Sequence, residues 1–221
     1  MQPVARIRLL GEFQAVFDGA DVPSLDSTRL QSLLAFLLLH CDAPQTRQRL
    51  ASALWPDSTE AQARTNLRHV LHTLRQCVPD AQRYLEITSR TVRWRPDAAV
   101  WFDVGAFEDL LAAVRSAGRD ALGEAVKLYA GDPDVGCGDE WLGAERDRLR
   151  RRHLDALAEL ARLCEASGDL AAAISYAERL LHHDELGTRR RRDPRRGQDR
   201  GGTPSPEMTR APLGAVTGLT P

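Results

Sequence analysis

Apolar positions change their period several times along the chain, and each change marks an element. Residues 4 to 25 alternate with the period of two that suits strands. Ile7 and Leu9 stand between Arg6 and Arg8, and Ala15 and Phe17 run into an Asp18-Gly19 turn. The period then lengthens. "STRLQSLLAFLLLH" at 27–40 predicts a strongly apolar helix, with Asp26 or Ser27 as N-cap. Thr46 opens "RQRLASALW", a two-turn helix that must stop before Pro56, because proline lacks an N–H and restricts the residue before it. Thr59 caps a third helix, and Gln62 three residues on completes a capping box. In that helix Leu67, Val70, Leu71, Leu74 and Val78 follow the three-and-four spacing of one buried face. "YLEITSRTVRWRP" then predicts a hairpin over 84–95, with Leu85, Ile87, Val92 and Trp94 on one face and Arg93 and Arg95 on the other. Its turn, near Ser89-Arg90, lacks the glycine that marks tight hairpins. Two short helices, a longer one and a hairpin, in that order, predict a winged helix-turn-helix over residues 1–96.

From Asp97 to Gly187 the helical period persists, with helices expected at 104–116, 119–130, 139–166 and 169–183. "LARLCEASGDLAAAISYAERLLHHD" has the arrangement of a tetratricopeptide helix pair. Leu160 and Ala161 lie in its first helix, Gly168-Asp169 make the turn, and Ala173, Ile174, Tyr176 and Ala177 pack in the second. Only one and a half such units fit. After Thr188 the periodicity stops, and Arg, Pro, Gly and Thr dominate a segment expected to be a disordered tail over 188–221. The expected fold class is therefore mainly α with a small β component: a winged helix-turn-helix followed by an all-α, tetratricopeptide-like domain.

Composition changes this picture little. The chain has 221 residues, with 43% apolar and 28% charged residues, as in ordinary soluble globular proteins. Charge distribution is more telling. Residues 1–96 hold 12 basic residues against 9 acids, residues 97–187 hold 10 against 19, and residues 188–221 hold 8 against 3. Such asymmetry suggests separate partners for separate segments. Cys41, Cys77, Cys137 and Cys164 show no CxxC spacing, which suits reduced thiols in a cytoplasm. "LLAFLLL" at 33–39 is too short to span a membrane, so no membrane partner is expected. Lys127 is the one lysine beside 29 arginines, a bias that fits a GC-rich genome.

Candidate chemistry concentrates on the third helix. Arg64, Arg68, His69, His72 and Arg75 occupy the face opposite its apolar stripe, with Thr65 beside them, and no acid falls between Glu60 and Asp80. Surface helices usually mix opposite charges three or four apart for mutual support. An unmixed positive face can be plain solvated surface. On the third helix of a helix-turn-helix it can equally lie against DNA phosphates and base edges, where a carboxylate would be repelled. Arg90, Arg93 and Arg95 carry the same two readings: a wing touching backbone or minor groove, or an edge strand using charge against aggregation. Trp94 reads as core.

Elsewhere the chemistry is plainer. "RDRLRRRH" at 146–153 has Glu145, Asp147 and Asp155 within helical reach and reads as a salt-bridged surface. Adjacent His182 and His183 diverge by about 100° around a helix, which is poor for chelation. "DPDVG" at 132–136 would need Glu at 143 to be a calcium loop, and Gly143 stands there. No phosphate-binding glycine loop, nucleophile elbow or zinc-protease motif occurs, so neither enzyme activity nor a cofactor or metal is expected.

Taken with their order, several segments resemble the Streptomyces antibiotic regulatory protein (SARP) family of bacterial transcriptional activators. They are "IRLLGEF", "RQRLASALWPDSTEAQARTNLRHVLHTLR", "TVRWRPDAAVWFDVGAFEDLL" and "LYAGD" with "DEWLGAERDRLRRRHLDALAELA", and the match runs to about residue 186. The resemblance implies an OmpR-like DNA-binding domain at 1–96 and a helical bacterial transcriptional activation domain at 97–187. It implies double-stranded promoter DNA with repeated sites as partner, read by the helix at 62–78 with the hairpin as wing. It further implies contact with RNA polymerase and its sigma factor at secondary-metabolite or antibiotic genes, and leaves room for a homo-oligomer on those sites. In that family the helical domain continues beyond the point where the Arg-rich tail begins here, so an activation domain cut short is expected, by frameshift or by divergence. The competing class is a tetratricopeptide-like interaction module without specific DNA binding.

Overall fold

The structure is a computed structural model that describes residues 5–22, 25–135 and 140–192. It is mainly α with a small β component, and the chain order is strands, three helices, a hairpin, one more strand and four helices.

Strands β1 (Ala5–Arg8), β2 (Gln14–Phe17) and β3 (Ala20–Asp21) form an antiparallel meander. The Asp18-Gly19 turn between β2 and β3 has both residues at positive φ, 50° and 81°. Alternation in β1 is clean: Ala5 and Ile7 are buried, while Arg6 and Arg8 are exposed. Helix α1 (Thr28–Leu39) is the hub of the first half, with eight of its residues buried, including Leu33, Leu34 and Leu37. Next comes β4 (Gln45–Thr46), then α2 (Arg47–Leu54), capped by the Thr46 hydroxyl accepting from the Arg49 N–H. Arg29 on α1 donates to the Leu54 carbonyl at 2.6 Å, satisfying the end of α2, and its guanidinium lies 5.7 Å from the Trp55 ring. Helix α3 (Glu60–Cys77) buries Ala63, Leu67, Leu71 and Leu74 against this core.

The hairpin β5 (Leu85–Ile87) and β6 (Thr91–Trp94) follows, joined at its open side by β4 to make a three-stranded sheet. Val92 and Trp94 are buried, so Trp94 belongs to the core. The chain then returns to the first sheet. Strand β7 (Val100–Phe102) pairs parallel with β1, giving the order β3-β2-β1-β7.

That return lies beyond residue 96, the expected end of the first domain, and it ties the two halves together. Asp103 opens α4 (Asp103–Ala112), and its buried carboxylate accepts the Leu9 and Leu10 N–H groups at 2.9 Å. Burial pushes this carboxyl above the ordinary carboxylate range, although the Leu10, Leu9 and Val104 N–H groups pull it the other way. One hydrophobic cluster accordingly draws Leu9, Leu10 and Ala35 from the first half and Val104, Phe107, Ala125, Leu142 and Leu149 from the second. At Gly11, φ is +101°, and an added Cβ would come within 3.3 Å of the Ala130 side chain.

Helices α5 (Val114–Leu128, broken at Gly118), α6 (Glu140–Ala166) and α7 (Leu170–Arg192) complete the all-α half. Gly168, at φ +79°, makes the α6–α7 turn, and Asp169 caps α7 while pairing with Arg119 at 2.8 Å. Tyr176 and Leu180 pack inward against Leu157 and Leu160. Ile174 and Ala177, expected in that interface, face solvent, because α7 turns only one side to α6 and, among the described residues, no further helix covers the other. Helix α7 also continues through Arg192, so the first residues of the expected tail are helical. Arginine is a good helix former. The rest of that tail, 193–221, lies outside the described residues. Among the described residues no helix is long and apolar enough to cross a membrane.

Replacing Asp103 by Ala leaves two buried N–H groups without an acceptor. Asp103→Ala should lower unfolding free energy by about 2–4 kcal/mol, and urea denaturation followed by circular dichroism can measure it. A loss below about 0.5 kcal/mol would mean that this carboxylate does not hold the halves together.

Candidate nucleic-acid interface

Helix α3 presents its cations because the apolar stripe fixes its roll. With Leu67, Leu71 and Leu74 inward, Arg64, Thr65, Arg68, His69, His72 and Arg75 are all exposed. The capping box forms by half. Thr59 accepts from the Gln62 N–H at 3.3 Å, but the Gln62 side chain donates forward to Asn66 Oδ1 at 2.8 Å and does not reach back. Helix support from charge is also not wholly absent: Arg64 sits 3.5 Å from Glu60, one turn earlier. Arg68 and Arg75 make no ion pair with any described residue. The Thr65 hydroxyl donates to the Ala61 carbonyl at 3.0 Å, so it has acceptor capacity left and no spare donor.

The hairpin turn closes without glycine because Thr88 supplies a side-chain substitute. Its hydroxyl accepts the Thr91 N–H at 2.9 Å and the Arg90 N–H at 3.2 Å, the pattern of a serine/threonine turn. Arg90 stands exposed at this tip. Arg93 does not stand free. It lies opposite Glu86 in the ladder and donates to that carboxylate at 2.8 Å, so much of its charge is already answered. Arg95 is held by Asp97 at 3.3 Å.

One contributor had no sequence signal. Arg47, the first residue of α2, donates its Nε–H to the Thr88 carbonyl and its backbone N–H to the Arg90 carbonyl, both at 3.0 Å. It pins the hairpin tip to the helix-turn-helix. Only the β4–β6 pairing brings these residues together, and two-residue β4 has too short a pattern to predict. At the other end Arg75 on α3 and Ile87 and Arg95 on the hairpin line one open cleft of about 650 Å³, which places helix and hairpin on a common surface.

The solved structure of Mycobacterium tuberculosis EmbR in complex with a low-affinity phosphopeptide is similar to this chain. It superposes with a TM-score of 0.66 at 22% identity, covering 88% of this chain and 52% of EmbR. This chain thus spans about half the length of EmbR. No protein-family model and no curated protein matches it. At that identity the likeness speaks for the fold, a winged helix followed by an all-α domain.

The arginines of 146–153 are placed differently from those of α3. Arg148 and Arg152 pair with Glu108 on α4, Arg150 pairs with Asp132, and Arg148 also reaches Glu145 at 2.8 Å. His153 is buried and stacks on Tyr129 at 4.2 Å. This is the salt-bridged surface expected from the sequence, with partners on neighbouring segments as well as its own helix.

Thr88→Ala removes the hydroxyl that closes the turn while leaving strand positions untouched. It should cost about 1 kcal/mol and speed amide exchange at Arg90 and Thr91, read by hydrogen-exchange mass spectrometry. Unchanged exchange there would show that the ladder alone holds the tip.

Proposed function

We propose that the chain is a sequence-specific DNA-binding transcriptional regulator of the activator type. Helix α3 lies in the major groove of promoter DNA, and the hairpin serves as the wing. The observation that carries this reading is the uncompensated cationic row on the outward face of α3. Arg68, His69, His72 and Arg75 share that face, and Arg75 lines one cleft with the hairpin. Bidentate guanidinium contact to guanine O6 and N7 gives arginine a role there that lysine cannot match. Arg64 and Arg90 contact phosphate, and Thr65 accepts from a base amino group. Arg93 chiefly keeps the wing in register through Glu86.

The acidic helical half does not share in DNA contact. Arg146, Arg148, Arg150 and Arg152 are paired with carboxylates, and the acid excess of this half repels a duplex. It contacts RNA polymerase and sigma factor, and the controlled genes are of the secondary-metabolite or antibiotic class. Both statements rest on the SARP resemblance. A second reading, an interaction module without specific DNA binding, draws support from the apolar side chains that α7 leaves in solvent.

Salt-dependent binding separates these readings. On DNA selected by the protein from a random pool, Arg68→Ala should cost about 1–3 kcal/mol and relax one base position if it reads a base. If it holds phosphate, affinity should fall evenly over all sequences and the salt slope should shrink by about one unit. Arg64→Ala should do less, since Glu60 already shares that charge. Folded Arg64→Ala, Arg68→Ala and Arg75→Ala variants that all bind with unchanged affinity and slope would overturn the assignment.

A further inference from the structure

The tip of the hairpin has no apolar anchor. Thr88, Ser89 and Arg90 are all exposed, and strands of three and four residues make a hairpin too small to stand firmly by itself. Support comes from outside it. Strand β4 reaches as far as Thr46, opposite Thr91. Arg47 then holds both sides of the turn: its backbone N–H donates to the Arg90 carbonyl and its side-chain Nε–H to the Thr88 carbonyl, both at 3.0 Å. Any residue except proline supplies the first bond. The second needs this side chain. Its base is fixed, because Arg47 opens α2, and Leu50 and Leu54 of that helix share one buried cluster with Leu67 and Leu74 of α3.

We propose that Arg47 is a positioning residue for DNA binding: through the Thr88 carbonyl it fixes the wing tip, and with it Arg90, at a set distance from α3, and it does not itself touch the duplex. This role rests on the reading of α3 and the hairpin as the DNA surface. The physical reason is entropic. A tip already ordered in the free protein has less freedom to lose on binding, so more of the Arg90 contact shows as affinity. Because α2 and α3 are packed in one core, tip and recognition helix share a common reference. The competing use of Arg47, a guanidinium that holds phosphate directly, differs in one chemical respect. Positioning requires the N–H at Nε, whereas phosphate contact requires the charge.

Glutamine separates the two, since its amide N–H lies as many bonds from Cα as the arginine Nε and carries no charge. The full chain is titrated, at several salt concentrations, with DNA that the wild type has selected from a random pool. Arg47→Ala should bind about 5-fold more weakly, the order of one intramolecular hydrogen bond. Arg47→Gln should return to within about 2-fold of wild type and keep its salt slope. On an Arg90→Ala background, Arg47→Ala should cost less than about 2-fold, because a misplaced tip then has no cation to lose. Amide exchange at Arg90 and Thr91 should quicken in Arg47→Ala and slow again in Arg47→Gln. An Arg47→Gln variant as weak as Arg47→Ala, with a salt slope smaller by about one unit, makes Arg47 a phosphate contact and overturns the inference. Full additivity with Arg90→Ala overturns it too, as does an Arg47→Ala variant that binds like wild type. A wild-type chain that selects no DNA overturns the proposed function and this role with it, an outcome distinct from all the variant results.

Discussion

The buried Asp103 carboxylate is the contact on which the arrangement of the two halves depends. It sits at the N-terminus of α4, where the helix dipole favours negative charge, and it accepts the backbone N–H groups of Leu9 and Leu10. Those N–H groups lie just past the end of β1, where no strand partner continues. One side chain thereby ends a sheet, starts a helix and aligns Leu9 and Leu10 with the core that includes Phe107 and Leu149. Taking a carboxylate out of water is costly, and the raised pKa reflects that cost. Backbone N–H bonds offset part of it.

With the halves so joined, the winged helix cannot be regarded as a bead on a string. Trp141, at the start of α6, meets the Phe36 ring edge-on at 4.9 Å, and His40 stacks on Phe36 at 4.3 Å. Phe36 belongs to α1, the same helix that supports α3. The aromatic contact therefore joins the first turn of α6 to α1, the helix against which α3 packs.

Arginine is distributed by circumstance in this chain. On α6 the guanidiniums find carboxylates on α4, on the 129–135 segment and on their own helix. Their positive charge is local, and exposed pairs of this kind add little to stability. On α3 the neighbouring carboxylates are missing except for Glu60, so the field of the helix extends outward. Hairpin arginines fall between: Arg93 is matched by Glu86, while Arg90 stands at the tip.

Periodicity by itself determined most of the elements and their order, though not β4 or β7: the alternation of β1, the stripe of α3, the hairpin faces with Trp94 inward, and the Gly168 turn before α7. These are local consequences of 3.6- and two-residue repeats, and they also settle which face of α3 is cationic. What tertiary structure alone decided are contacts between residues far apart in sequence. The parallel return of β7 to β1, the Asp103 bridge and the pinning of the wing by Arg47 are of this kind. So is the diversion of Arg93 to Glu86, since a strand pattern shows which face a residue takes but not its cross-strand partner. The outward turn of Ile174 and Ala177 has the same origin. An amphipathic helix with apolar residues on two sides has two candidate cores, and only the position of α6 selects between them.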